Sequence, residues 1–131
     1  GFYDYDSKGK RTGLTQIIGD KYPVDSSQPS LNDVQNRLMM AQALEAVRAL
    51  EDGVLTDIRE GDVGAILGWG FAPWSGGPLS WLDMIGAAKA VEICEHLTRT
   101  YGDRFTAPAL LRSLADKGEG FYDRFSQPTA A

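Results

Sequence analysis

Ser30-Leu31-Asn32-Asp33-Val34-Gln35-Asn36-Arg37-Leu38-Met39-Met40-Ala41-Gln42-Ala43-Leu44-Glu45-Ala46-Val47-Arg48-Ala49-Leu50-Glu51-Asp52-Gly53 is the stretch that decides the fold class. Leu31, Val34, Leu38, Ala41, Leu44 (or Ala43), Val47 and Leu50 recur at spacings of three and four, the stripe of an amphipathic helix. Ser30 can cap the free amides of its first turn, and Asp33 completes a capping-box-like pair near the positive end of the helix dipole. Gly53 stops the helix, as suits a residue that takes positive φ without strain. The spacing predicts a helix over 31–52.

The same signals repeat downstream. Thr56 reads as the cap of a second helix with Asp57 and Glu60 in its first turn, Ile58, Val63, Ile66 and Leu67 as apolar contacts, and Gly61 and Gly64 permitting close packing. Gly68 through Pro78 reads as an ordered loop carrying three aromatics among its glycines and prolines. Pro78 suits the first position of a third helix that ends at Gly86. A fourth spans about Ala87–Tyr101, with Ala90, Val91, Cys94 (or Ile93), Leu97 and Tyr101 inward. A fifth starts at Pro108, buries Leu110, Leu111, Leu114 and Ala115, and closes at Gly118. No stretch alternates apolar and polar residues for long, so the prediction is an all-α bundle of about five helices. Residues 1–29, rich in Gly, Pro, Ser, Asp and Lys, read as a linker with one short helical turn near Leu14, Ile17 and Ile18.

Composition narrows the function. The 131 residues suit one domain, and 43% hydrophobic against 24% charged residues is enough for a core. A net charge of −5 argues against a nucleic-acid or anionic-membrane surface. Cys94 is the only cysteine, which excludes an intrachain disulfide and fits a reducing, cytoplasmic compartment. No apolar run approaches the ~20 residues needed to span a bilayer. Gly1-Phe2-Tyr3-Asp4-Tyr5-Asp6 has neither a signal peptide's charged start nor an initiator Met, and reads as a cut into something longer. Gly120-Phe121-Tyr122-Asp123 repeats Gly1-Phe2-Tyr3-Asp4. Two copies a domain's length apart suggest a duplicated unit.

Candidate chemistry is sparse. Gly68-Trp69-Gly70 departs from a dinucleotide fingerprint, because Pro73 occupies the third glycine's place and the preceding segment is helical. Cys94 and His96 sit two apart on a helix and point away from each other, so they read as a core residue and a surface residue. No further His or Cys exists to build a zinc site with either. Asp57, Glu60, Asp62 and Asp83 could form an acid–base pair or hold a hard cation. Dipole pairing in a first helical turn accounts for the first three, and bonds to backbone or Trp donors for Asp83. Trp69, Phe71, Trp74 and Trp81 form the main surface candidate. Either they are core under a loop, or they form a docking patch against another domain, since aromatics concentrate at interface centres.

From Ala65 through Gly86 the sequence resembles the C-terminal region of multifunctional fatty-acid β-oxidation enzymes, which join an enoyl-CoA hydratase to an L-3-hydroxyacyl-CoA dehydrogenase. That family's pattern G-F-x-P-(aromatic)-x-G-G-P/A followed by (aromatic)-x-D-x-x-G is met by Gly70-Phe71-Ala72-Pro73-Trp74-Ser75-Gly76-Gly77-Pro78 and Trp81-Leu82-Asp83-Met84-Ile85-Gly86. Arg37-Leu38-Met39-Met40 through Glu51-Asp52-Gly53-Val54 looks like the same domain's first helix, and Gly1-Phe2-Tyr3-Asp4-Tyr5 like the close of the preceding helical copy. The resemblance implies a helical domain of the kind shared with the C-terminal part of 6-phosphogluconate dehydrogenase. It implies residues 1–29 as the tail of a preceding helical domain plus linker, 30–125 as the second helical C-terminal domain, and 126–131 as a disordered tail. No segment matches the family's catalytic His–Glu pair or nicotinamide-binding glycines, so no catalytic, cofactor or metal residue is assigned here, and NAD belongs to the full-length enzyme. The implied partners are the preceding Rossmann and first helical domains, a thiolase subunit, and a second copy of this piece. The competing reading is an independent helical module for acyl-CoA or a nucleotide. That reading needs cations near the aromatic loop, and none lies between Arg59 and Lys89.

Overall fold

The computed structural model describes residues 1–126, and the chain divides into two units, Gly1–Ser30 and Leu31 onward. The tail expected at 126–131 falls, after Ser126, outside the described residues.

In the first unit β1 (Tyr3–Tyr5) and β2 (Arg11–Leu14) form an antiparallel hairpin, followed by α1 (Gln16–Lys21). Tyr3 pairs with Leu14, Asp4 with Gly13 and Tyr5 with Arg11, with an irregularity between Asp4 and Tyr5. The Asp6 carboxylate ties the turn by accepting from the amides of Lys8 and Lys10, each at 2.9 Å, and Gly9 supplies the positive φ of 77°. The hairpin corrects the linker expected here, while the short helical turn expected near Ile17 and Ile18 is α1. Strands of three and four residues are too short to display alternation. None of the unit's residues is buried.

The second unit is the all-α bundle: α2 (Leu31–Glu51), α3 (Ile58–Trp69), α4 (Pro78–Ile85), α5 (Ala87–Tyr101), α6 (Ala109–Lys117) and α7 (Phe121–Phe125). The five expected helices are α2 to α6, and α7 is an addition. Helix α3 starts at an Asp57 cap, whose side chain accepts from the Arg59 amide at 2.9 Å, and it runs through Trp69 to a left-handed Gly70. The expected cap at Thr56 and loop start at Gly68 shift accordingly. On α2 the buried stripe is Met40, Ala43, Leu44 and Val47, while Leu31 and Leu38 are exposed. At 3.6 residues per turn Leu31 and Leu38 fall on the side of α2 opposite Met40 and Val47.

Helix α4 packs against α2, α3, α5 and α7. Its Pro78, Leu79, Trp81 and Leu82 are all buried, so one short helix is apolar on nearly every side. Each large side chain so removed from water contributes about 1.5–3 kcal/mol.

Burying helix starts leaves amides to satisfy. Helices α4, α6 and α7 begin behind Gly77, Pro108 and Gly120, none of which offers a side-chain cap. Carboxylates from elsewhere in the bundle take their place. Asp62 of α3, 2% exposed, accepts from the amides of Leu79 (2.8 Å) and Ser80 (3.0 Å), the Ser80 hydroxyl (2.6 Å) and the Tyr122 hydroxyl (2.9 Å). Asp83 of α4 accepts from the amides of Phe121 (2.6 Å) and Tyr122 (2.9 Å). Glu51 of α2 accepts from the Leu110 amide at 2.5 Å. A Cβ on Gly77 would meet the Asp62 carboxylate at 2.5 Å, at a backbone φ of 122°. That position is glycine so that the carboxylate can enter.

Asp62→Ala should strand two amides and two hydroxyls and cost about 3 kcal/mol in unfolding free energy by urea titration. Gly77→Ala should cost a comparable amount. Losses below about 1 kcal/mol for both would mean that water replaces the carboxylate and that the cap is dispensable.

Candidate functional site

The four aromatics singled out from the sequence separate into two pairs. Phe71 and Trp81 are buried in the core, whereas Trp69 and Trp74 are 61% and 71% exposed. The left-handed Gly70 reverses the chain after α3 and sends Phe71 inward, and Trp81 lies in a helix packed on several sides. A single docking patch of all four rings is not formed. The loop itself is rigid: buried Ser75 donates to the Ala72 carbonyl at 2.7 Å and accepts from the Gly77 amide at 3.3 Å.

Trp69 is held in place while its ring stays in solvent. Its indole N–H donates to the Gln42 side-chain carbonyl at 3.1 Å, and the Gln42 amide donates to the Leu38 carbonyl at 2.9 Å. Beside it runs a groove of about 430 Å³ between α2 and α3, lined by Ala46, Ala49, Val54, Leu55, Gly64 and Trp69. Val63 and Leu67, one turn apart on α3, are exposed, Leu67 to 80%. The sequence reading placed both inside. Ile58, Asp62 and Ala65 already form α3's buried side, and 3.6-residue geometry turns 63 and 67 away from it. A helix with apolar residues beyond one stripe and glycines at 61, 64 and 68 was the available signal.

Of the ionisable candidates Asp57, Asp62 and Asp83 are occupied with structure, whereas Glu60 lines the groove between α2 and α3. Asp57 pairs with Arg59 at 2.5 Å, and the Arg59 guanidinium and amide hold its carboxyl down to about 2. Asp62 is no first-turn dipole residue: it is the cap of α4. A cleft of about 460 Å³ includes Asp83, Glu119 and Asp123. There Asp83 is bound to α7 amides, Glu119 to Arg124 at 2.6 Å, and Asp123 to the Gly120 amide. Among the described residues no three His, Cys, Asp or Glu side chains gather to hold a metal, and no helix is long and apolar enough to cross a membrane. Cys94 is fully buried, and desolvation pushes its thiol up to about 11, the reverse of what a nucleophile needs. His96, half exposed, has its Nε2 at 3.0 Å from Asp33. The Tyr101 hydroxyl donates to the same carboxylate at 2.9 Å, and the Arg37 guanidinium stacks 4.3 Å above the Tyr101 ring. These groups tie the start of α2 to the end of α5.

Residues 34–123 match the family described as 3-hydroxyacyl-CoA dehydrogenase, C-terminal domain. The chain belongs to this family. It is 38% identical over 133 residues to the fatty acid oxidation complex subunit alpha of Shewanella amazonensis, covering 93% of this chain and 18% of that protein. The subunit of the same name in Shewanella halifaxensis is 38% identical over 126 residues, covering 93% of this chain and 17% of that one. The chain thus spans under a fifth of the length of these curated relatives. The stretch matched to the dehydrogenase C-terminal domain runs from the first turn of α2 into α7 and contains all three remote caps.

Two outcomes follow for this dehydrogenase domain. The Tyr101 hydroxyl above all, with His96, holds the Asp33 carboxyl below its ordinary 3.8. A depressed value means that its stabilisation is present above the unfolded value and is lost as pH falls through the lower folded one. The gap in urea midpoint between the native protein and Asp33→Asn should therefore be open at pH 7 and narrow as pH falls below the ordinary 3.8. A gap that does not narrow would show that charge is not what Asp33 contributes. Second, iodoacetamide at pH 8 should leave Cys94 unmodified in the native protein and label it rapidly in urea, as read by mass spectrometry. Fast native labelling would contradict the burial.

Proposed function

We propose that this chain is the docking and bracing portion of a longer NAD-dependent 3-hydroxyacyl-CoA dehydrogenase of fatty-acid β-oxidation, which oxidises L-3-hydroxyacyl-CoA to 3-ketoacyl-CoA. In this reading the parent also carries an enoyl-CoA hydratase, works in the cytoplasm and binds NAD in a Rossmann domain outside this chain. The helical bundle supplies no reacting group. It packs on the preceding helical domain and so stiffens the catalytic half, and a thiolase subunit is a further neighbour.

One observation carries the reading: a bundle in which Asp62, Asp83 and Glu51 are spent on helix ends exposes Val63 and Leu67 on one side of α3, and Trp69 beside a largely apolar groove on another. Large exposed apolar side chains gathered along one helix mark an interaction surface, not a reaction centre. The size of the relatives, which bear the name of an oxidation complex subunit, supports a covering partner within a longer protein.

Left uncovered, the Val63–Leu67 side favours an isologous contact between copies. Sedimentation should show the native chain shifting from monomer to dimer with concentration, and Leu67→Asp should hold it monomeric with its melting temperature unchanged. A monomer at every concentration would remove the case for a bare docking face. Calorimetry with NAD and with acetoacetyl-CoA should give no heat. A clear isotherm for either would favour the independent ligand-binding module instead.

A further inference from the structure

A further groove, of about 420 Å³, opens on the amino half of α2. Its apolar lining is Val34 and Ala41, both half-buried, Phe105, which is buried, and the exposed Leu38. The guanidinium groups of Arg37 and Arg104 join them, with Gln42, and no acid is among the lining residues. In a chain of net charge −5 that is a local reversal of sign. The volume lies within the ~300–1,000 Å³ of small-molecule sites, where apolar walls carry a few placed polar groups.

The polar groups here are placed by their neighbours. Arg37 stacks 4.3 Å from the centre of the Tyr101 ring, and the Tyr101 hydroxyl is held by Asp33 at 2.9 Å. Gln42 accepts from the Trp69 indole and donates to the Leu38 carbonyl. Arg104 sits on the short turn Asp103–Phe105, which Arg48 of α2 ties down by donating to the carbonyls of Arg104 (3.1 Å) and Thr106 (3.3 Å). Glu45 meets the charge of Arg48 at 2.5 Å. Arg37 shares its charge with Asp33 outside the groove. The exposed Arg104 side chain makes no hydrogen bond or ion pair among the described residues, so it is the stronger attraction for an anion.

A guanidinium fork matches a carboxylate or phosphate, and an apolar floor gains by losing its water to a chain. We propose that this groove binds a small amphipathic anion, an unbranched apolar chain ending in a carboxylate or a phosphate, with its head on Arg104 and Arg37 and its chain over Val34, Leu38, Ala41 and Phe105. A coenzyme A thioester is excluded, because its charges sit at the end of a long polar arm and not on the apolar chain. The site shares no residue with the Val63–Leu67 side or with the groove beside Trp69, so it is independent of the docking role.

Titrating the isotopically labelled chain with hexanoate, octanoate and decanoate should shift the amide signals of Val34, Leu38, Ala41 and Phe105. Affinity should rise about threefold per added methylene, a little under the value for complete burial. Decyl phosphate, run in parallel, shows which head the arginines prefer, and saturable binding of either supports the site. Acetate and decanol, each lacking one half of the ligand, should cause no saturable shift. Arg104→Gln should weaken decanoate about tenfold with the melting temperature unchanged, and Leu38→Ser should flatten the dependence on chain length. No saturable shift with decanoate or decyl phosphate, affinity indifferent to chain length, or undiminished binding by Arg104→Gln would each overturn the proposal. Shifts centred on Gly64 and Trp69 would also overturn it, by placing the ligand in the other groove.

Discussion

A helix must find acceptors for its first amides, and in this bundle three helices begin behind a glycine or proline that offers no side-chain cap. Asp62, Asp83 and Glu51 meet that need from neighbouring helices. The links run in series: α3 caps α4, α4 caps α7, and Tyr122 of α7 returns to the carboxylate that started it. Each carboxylate fixes a distance between two helices and also lies near the positive end of a helix dipole. Close packing around α4 is possible because its amino end is satisfied without solvent. The glycines at 77 and 120 are the steric counterpart, leaving the space into which the acids reach.

This wiring bears on function through what remains unused. Asp62 and Asp83, of the residue type that elsewhere shares a proton or holds a cation, have their oxygens committed to amides and hydroxyls. Cys94 is sealed among apolar neighbours with its thiol form favoured. Reactivity needs convergent polar groups with spare valence. In this bundle Asp62, Asp83 and Glu51 converge on helix amides. Its outward feature is instead apolar, with Val63 and Leu67 along α3 and Trp69 fixed by Gln42. A side chain oriented by a hydrogen bond while its ring face stays in water suits the docking role proposed for it.

Much of the fold was legible because its signals are local. The spacing of three and four, prolines ahead of α4 and α6, and glycines at 53, 86, 102 and 118 place most helix limits within a residue or two. The hairpin was not legible, since its strands are shorter than the pattern that reveals strands. The start of α2 reads as inward-facing by periodicity, yet Leu31 and Leu38 lie in solvent. Spacings of three and four drift slowly round a 3.6-residue helix, so over 21 residues the predicted stripe turns from the side of Leu31 and Leu38 to the opposite side, where Met40 and Val47 are buried. The aromatics show the same gap. Trp69, Phe71, Trp74 and Trp81 sit within thirteen positions, and one left-handed glycine decides which of the first two turns inward.

By itself the sequence determined the helical class, the punctuation of the chain and the family, all carried by short-range chemistry: propensity, capping residues, and a glycine-rich motif whose spacing survives without knowledge of contacts. Tertiary structure alone decided the identities of the caps and of the exposed face. Asp62 and Leu79 are seventeen residues apart, and whether an acid serves its own helix or a distant one depends on where the chain returns. That return is set by the packing of many side chains at once, a quantity no local window contains.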